Sequence, residues 1–195
     1  MRSRRLAVSG RRLGTLLGLV TLCLALWILT PHFLTVSNLL NVLEQTVINF
    51  IIAVGMTYVI LSGGIDLSVG SLVAISGVVF ASILQAGLPL PAALAAGLLT
   101  GAAFGLANGL LITVGRLPPF IATLGMMSIA RGAALVFTDG RPISGFAPGF
   151  RTLATGRLFA IPVPVILAVA VFVVAHLVLA RTRFGRYVYA IGGNE

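Results

Sequence analysis

The sequence predicts an all-α fold, a polytopic membrane helical bundle of about six transmembrane helices. Three observations predict it. Of 195 residues, 58% are hydrophobic and 9% charged, and the mean hydropathy is +1.12; a soluble domain carries about 25% charged residues. The apolar residues gather into runs near the ~20 residues that one bilayer crossing needs, punctuated by Pro and Gly. All 13 basic residues are arginines, and most lie at the N-terminus or between the runs. The same composition excludes a disordered chain, a collagen-like repeat and a disulfide scaffold.

Residues 1–12 read as a basic cytoplasmic tail, and residues 13–180 as a transmembrane domain. The first span lies near 13–30 and ends at Pro31. The second, near 42–62, ends at Gly63-Gly64, and the third, near 67–87, ends before Pro89. The fourth, near 90–115, is long enough to tilt or kink. Pro118-Pro119 open the fifth, near 119–138, and Pro162 and Pro164 lead into the sixth, near 161–180. No run alternates with period two, so the spans are helices and not barrel strands.

The arginines orient the bundle. With a cytoplasmic N-terminus, Arg2, Arg4, Arg5, Arg11, Arg12, Arg116, Arg181, Arg183 and Arg186 lie inside. Only Arg141, Arg151 and Arg157 then lie outside, in the longest loop. That is the positive-inside pattern. It also accounts for the net charge of +9 and a pI near 11.7, so nucleic acid is not an expected partner. Gly97, Gly101, Gly105 and Gly109 recur every fourth residue, and Gly70, Ala74, Gly77 and Ala81 make a similar small face. Close helix packing is the favoured reading of both stripes.

Little in the chain suggests catalysis. With no lysine it has no Walker-A motif. Cys23 is its single cysteine. Glu44, Asp66, Asp139 and Glu195 are far apart, without metal-ligand or catalytic-triad spacing. No active site, metal or cofactor is expected.

The most distinctive string is Ser62-Gly63-Gly64-Ile65-Asp66-Leu67-Ser68-Val69-Gly70-Ser71. Paired glycines stop one helix, and Asp66 or Ser68 can cap the next. The string resembles the signature of ribose-type ABC sugar permeases, the membrane subunits of bacterial monosaccharide importers. Other segments are similar to that family in the same order. They are Phe33 to Leu39 with Asn41 to Gln45, Ala53 to Thr57, Phe120 to Leu124 with Arg131-Gly132, and Thr182 to Tyr187 with Ala190 to Glu195. The family continues with further spans, so the chain is expected to be the N-terminal part of a permease.

The resemblance implies a multi-pass subunit of the bacterial inner membrane, in the lipid bilayer, that carries a ribose-like monosaccharide. Its implied partners are a separate ABC ATPase subunit, a periplasmic sugar-binding protein and a second permease subunit. Neutral polar groups suit sugar hydroxyls, which makes Asn49, Ser68, Asn108 and Thr123 candidates for the substrate path; the charged Asp66 and Arg131 are candidates beside them. Arg131 stands ~20 Å of helix rise into the fifth span, where a charge must face protein or water, or snorkel. Residues 181–195 would begin the cytoplasmic contact with the ATPase, through Arg183, Gly185, Arg186, Tyr187, Gly192, Gly193, Asn194 and Glu195. Two alternatives stay open, an ion-coupled secondary transporter and a non-transporting membrane scaffold.

Overall fold

The computed structural model describes residues 2–146 and 148–193, without the side chains of residues 2–13, 148, 149, 152 and 153. It divides into two units, Met1–Thr46 and Val47–Glu195.

In the first unit, α1 (Arg2–Leu29) runs through the stretch expected as a basic tail. Arginine and leucine are good helix formers, and nothing before Pro31 obliges the helix to stop. Helix α2 (Val36–Leu61) starts six residues earlier than hydropathy suggests. Thr35 explains the difference. Its hydroxyl accepts from the Asn38 amide at 3.3 Å and donates to the His32 carbonyl at 2.9 Å. The Asn38 side chain also donates to the Phe33 carbonyl at 2.8 Å. These bonds satisfy groups that a helix start leaves free, while the polar Ser37, Asn38 and Asn41 only lower the local hydropathy.

The second unit is built on three helices, α3 (Val69–Gln85), α4 (Leu90–Thr113) and α5 (Pro119–Thr138). Short turns make α3 antiparallel to α4, and α4 antiparallel to α5. Helix α3 packs against both neighbours, around buried Ile75, Ala130 and Ala134, with Leu72, Val78 and Phe104 alongside. The α3–α4 approach depends on glycine. A methyl group on Gly97 would sit 3.2 Å from both Phe80 Cβ and the Ser76 carbonyl, and one on Gly101 3.3 Å from the Ser76 hydroxyl. A methyl group on Gly105, Gly109, Gly70 or Gly77 would meet nothing within 4 Å. Only the first half of the α4 stripe therefore sets this interface.

The long loop after α5 carries structure that hydropathy does not reveal. Asp139 closes α5 in the left-handed region at φ 51°. A short α6 (Pro148–Thr155) follows, opened by a proline. Its Phe150 ring lies 5.4 Å from that of Phe80. Strands β1 (Arg157–Leu158) and β2 (Ile161–Pro162) then form a minimal hairpin, pairing Arg157 with Pro162 and Leu158 with Ile161. Phe159 and Ala160 turn it with φ of 49° and 68°, the positive values a two-residue hairpin turn demands. Because Ile161 and Pro162 belong to this hairpin, α7 (Val163–Arg181) starts after the expected position 161.

Helix α7 meets the part of α2 beyond Val47. The Phe50 and Phe172 rings are 5.8 Å apart, and the Tyr58 hydroxyl donates to the Ala175 carbonyl. After α7 the backbone is extended at Thr182, whose hydroxyl accepts from the Gly185 amide and starts α8 (Arg183–Gly192). Among the described residues, α2, α4, α5 and α7 are long and apolar enough to cross a membrane; α3 and the Gly14–Leu29 stretch of α1 are apolar but shorter. Leucine, valine and phenylalanine side chains stand exposed along these helices, as a lipid-facing surface requires.

Candidate functional site

The signature string forms the turn between α2 and α3. Gly63 takes φ 76°, a conformation that costs a side-chain-bearing residue energy. It lets the Gly63 amide bond the Ile60 carbonyl at 3.0 Å and the Gly64 amide bond Val59 at 2.9 Å, closing α2. Asp66 then folds the chain into α3. One of its carboxylate oxygens accepts from the Ser68 amide at 2.7 Å and from the Ser68 hydroxyl at 2.6 Å. This is an Asx turn. The Ser68 side chain does not cap α3.

Instead, Ser68 ties the turn to the neighbouring helix. Its hydroxyl accepts from the Asn108 side-chain amide of α4 at 3.0 Å, so a chain of bonds runs from Asn108 through Ser68 to Asp66. A second tie comes from α5. The Thr123 hydroxyl shares its one proton between the Pro119 carbonyl of its own helix at 2.8 Å and, more weakly, the Ile65 carbonyl in the turn at 3.3 Å. Ser68 is 0% exposed, Thr123 2% and Asn108 5%. Bulk water cannot replace these bonds, which makes each worth more than a surface bond. Among the described residues, buried Asn108 Oδ1 and Ser71 Oγ find no partner.

Helix α8 reaches the same turn. A methyl group on Gly192 would overlap the Leu61 carbonyl oxygen and lie 3.2 Å from the Gly63 amide nitrogen. The two backbones approach this closely because Gly192 carries no side chain. At the other end of α8, Gly185 is seated against the Leu179 carbonyl of α7, again with no room for a methyl group. The Phe184 ring lies 6.1 Å from Tyr58 of α2. Gly185 and Val188 are buried, whereas Arg183, Phe184, Arg186 and Tyr187 are exposed. Helix α8 is thus amphipathic, with an outward face of arginine and aromatic side chains.

The structure gathers four of the six substrate-path candidates around this one turn, the buried Ser68, Asn108 and Thr123 and the half-buried Asp66. It does not bring Asn49 or Arg131 to them; both are exposed, on α2 and α5. Of the coupling candidates, Arg183, Arg186 and Tyr187 lie on the outer face of α8, and Gly185 and Gly192 on its contacts. Gly193 caps the helix, its amide bonding Tyr189 at 3.0 Å. Asn194 and Glu195 lie outside the described residues. Sequence reasoning missed the seat of Gly192 on the α2–α3 turn, a contact between distant glycines that leaves no local pattern. It also missed α8 as a helix, although Thr182 three residues before Gly185 is an N-terminal signal.

Fold and turn together define a polytopic helical membrane protein with a hydrogen-bonded signature loop. Residues 38–195 match the family described as branched-chain amino acid transport system / permease component, and the chain belongs to that family. Among curated relatives it is similar to the ribose import permease protein RbsC of Bacillus subtilis (strain 168), 48% identical over 95% of this chain and 58% of the relative. It is 45% identical to RbsC of Escherichia coli (strain K12), over 96% of this chain and 63% of the relative. It is 40% identical to the D-allose transport system permease protein AlsC of the same strain, over 84% of this chain and 51% of that protein. The chain therefore spans less than two thirds of the length of these relatives. No solved structure matches it.

Proposed function

We propose that the whole protein is the permease subunit of an ATP-driven importer that carries a ribose-like monosaccharide across the bacterial inner membrane. One observation carries the reading: 48% identity to a ribose import permease, sustained over 95% of this chain. Four apolar helices of spanning length support the membrane part of it. Energy would come from a separate ATPase subunit, and sugar from a periplasmic binding protein. A second permease subunit would complete the path.

The N-terminus is then cytoplasmic, as the nine inside arginines favour. The α2–α3 turn, the α4–α5 turn and α8 face the cytoplasm, and the α6–hairpin segment faces outward. Helix α8 is our candidate for the ATPase contact, through Arg183, Arg186 and Tyr187, a mixture suited to charge pairing and aromatic burial. Asp66, Ser68 and Asn108 spend hydrogen bonds on one another and Thr123 reaches the Ile65 carbonyl of the same turn, so we assign all four to holding the turn. Asn49 and Arg131, free of that network, are the remaining candidates for the sugar path.

Genetic complementation tests the function. The full-length gene, with its own ATPase and binding-protein partners, is expected to restore growth on ribose to a bacterium lacking its ribose permease. Failure with all three proteins present in the membrane and periplasm would overturn the ribose assignment.

A further inference from the structure

We infer that the α2–α3 turn is a relay, which takes up motion of α8 at Gly63 and passes it to α4 and α5 through Ser68–Asn108 and Ile65–Thr123. The inference deepens the coupling role proposed for α8 and rests on it. Three features of the molecule carry it.

The first is that the contact is rigid. Gly192 meets the Leu61 carbonyl and the Gly63 amide backbone to backbone. No side chain stands between them to absorb a small shift by changing rotamer. The far end of α8 is held equally tightly at Gly185, against the Leu179 carbonyl. A push on the exposed face of α8 is therefore taken up by α7 at Gly185, by Tyr58 of α2 at Phe184 and, backbone to backbone, by the diglycine turn at Gly192.

The second is that the turn is not free to yield. Asp66 braces it internally through two bonds to Ser68. Ser68 and Ile65 then tie it to Asn108 and Thr123, on two different helices. All three tying side chains are at least nine-tenths buried. Displacing the turn either drags α4 along or leaves the buried Asn108 amide without its Ser68 partner, and the second outcome is the costly one; the tie to α5 is weaker, since Thr123 keeps its bond to the Pro119 carbonyl.

The third is the division of labour between residues. The glycines lie where backbones meet, and the hydroxyl and amide groups lie where a bond has to pull. A turn that only joined two helices would need the glycines and Asp66. It would not need hydrogen bonds to two other helices.

Hydrogen exchange on the purified full-length permease in lipid nanodiscs tests the relay without relying on transport. Gly192→Ala is expected to raise amide exchange in segment 62–72 about tenfold, the effect of loosening one or two buried bonds. The N-terminal turn of α5 around Thr123 should follow. If α8 exchanges faster in Gly192→Ala while segment 62–72 is unchanged, the relay is wrong. Thr123→Val, close in shape and without the hydroxyl, provides the second arm and is expected to loosen the turn, and α8 by a clearly smaller factor through the same contact. Equal loosening of α8 would mean general destabilisation and would also overturn the relay. With the ATPase and binding protein added, Gly192→Ala and Thr123→Val should each lower sugar imported per ATP, and together no further than the stronger one alone. Multiplying effects would place them on separate routes and overturn the relay. Absence of any ATP-driven import by the unsubstituted protein would count against the proposed function, and the exchange result would stand by itself.

Discussion

Replacing Ser68 by alanine removes one oxygen atom that serves two partners. The donation to Asp66 is the smaller loss, because that carboxylate is half-buried and water can reach it; we assign about 1 kcal/mol. The interhelical bond from Asn108 is worth only ~0.6 kcal/mol on the average for membrane helices. Most of the cost lies in what remains. The Asn108 amide, 5% exposed, is left unpaired beside its own Oδ1, which already lacks a partner. An orphaned buried donor costs about 1–3 kcal/mol. Ser68→Ala should therefore destabilise the protein by about 2–4 kcal/mol. Asn108→Leu deletes the donor together with the unpartnered oxygen and keeps the branching and number of side-chain heavy atoms with bulkier methyl groups, so it should cost less than Ser68→Ala. The double variant Ser68→Ala/Asn108→Leu should be more stable than Ser68→Ala alone. Denaturant unfolding of the full-length permease in detergent micelles measures all three. A Ser68→Ala protein within about 0.5 kcal/mol of the unsubstituted one, or a double variant no better than the single, would show that Ser68 does not hold the Asn108 amide.

Three further outcomes are expected. Gly97→Leu should cut the yield of folded, monodisperse protein about tenfold, because its first carbon meets Phe80 and the Ser76 carbonyl at 3.2 Å; Leu98→Ala, at a position 74% exposed, should leave the yield unchanged. Tyr58→Phe removes the bond that joins α2 to the Ala175 carbonyl of α7 and should lower the melting temperature by a few degrees, for a loss of about 1 kcal/mol. In a Cys23→Ser background, a cysteine at Ser144 should react with an impermeant maleimide in whole cells opened only at the outer membrane; reaction from the cytoplasmic side alone would reverse the orientation.

The apolar runs and their proline and glycine punctuation made the long helices legible from sequence. Helix α5 occupies Pro119–Thr138, as Pro118-Pro119 and the run after them suggest. Legibility fails where helices are polar or short. Helix α2 begins at Val36 because Thr35 caps it, and an average over hydropathy discounts the Asn and Ser of its first turns. Helix α8 draws its stability from packing on α7 and on the diglycine turn. Its ten residues mix arginine with aromatic groups, a pattern that hydropathy reads as loop. For the site, the signature string located the turn, and elementary capping chemistry singled out Asp66 and Ser68. That Asn108 and Thr123 serve the same turn depends on the tertiary meeting of α3, α4 and α5. Spacing along one chain does not encode that meeting.

On the proposed function, the whole protein forms the membrane path of an ATP-driven sugar importer whose energy enters beside α8. Uptake of radiolabelled ribose into proteoliposomes, with the full-length permease reconstituted with its ATPase and binding protein, measures this. Uptake is expected to require ATP and the binding protein, to be blocked by vanadate, and to fall when Arg183 and Arg186 on the outer face of α8 are both replaced by alanine. Uptake driven by a proton or sodium gradient without ATP would overturn the proposed function.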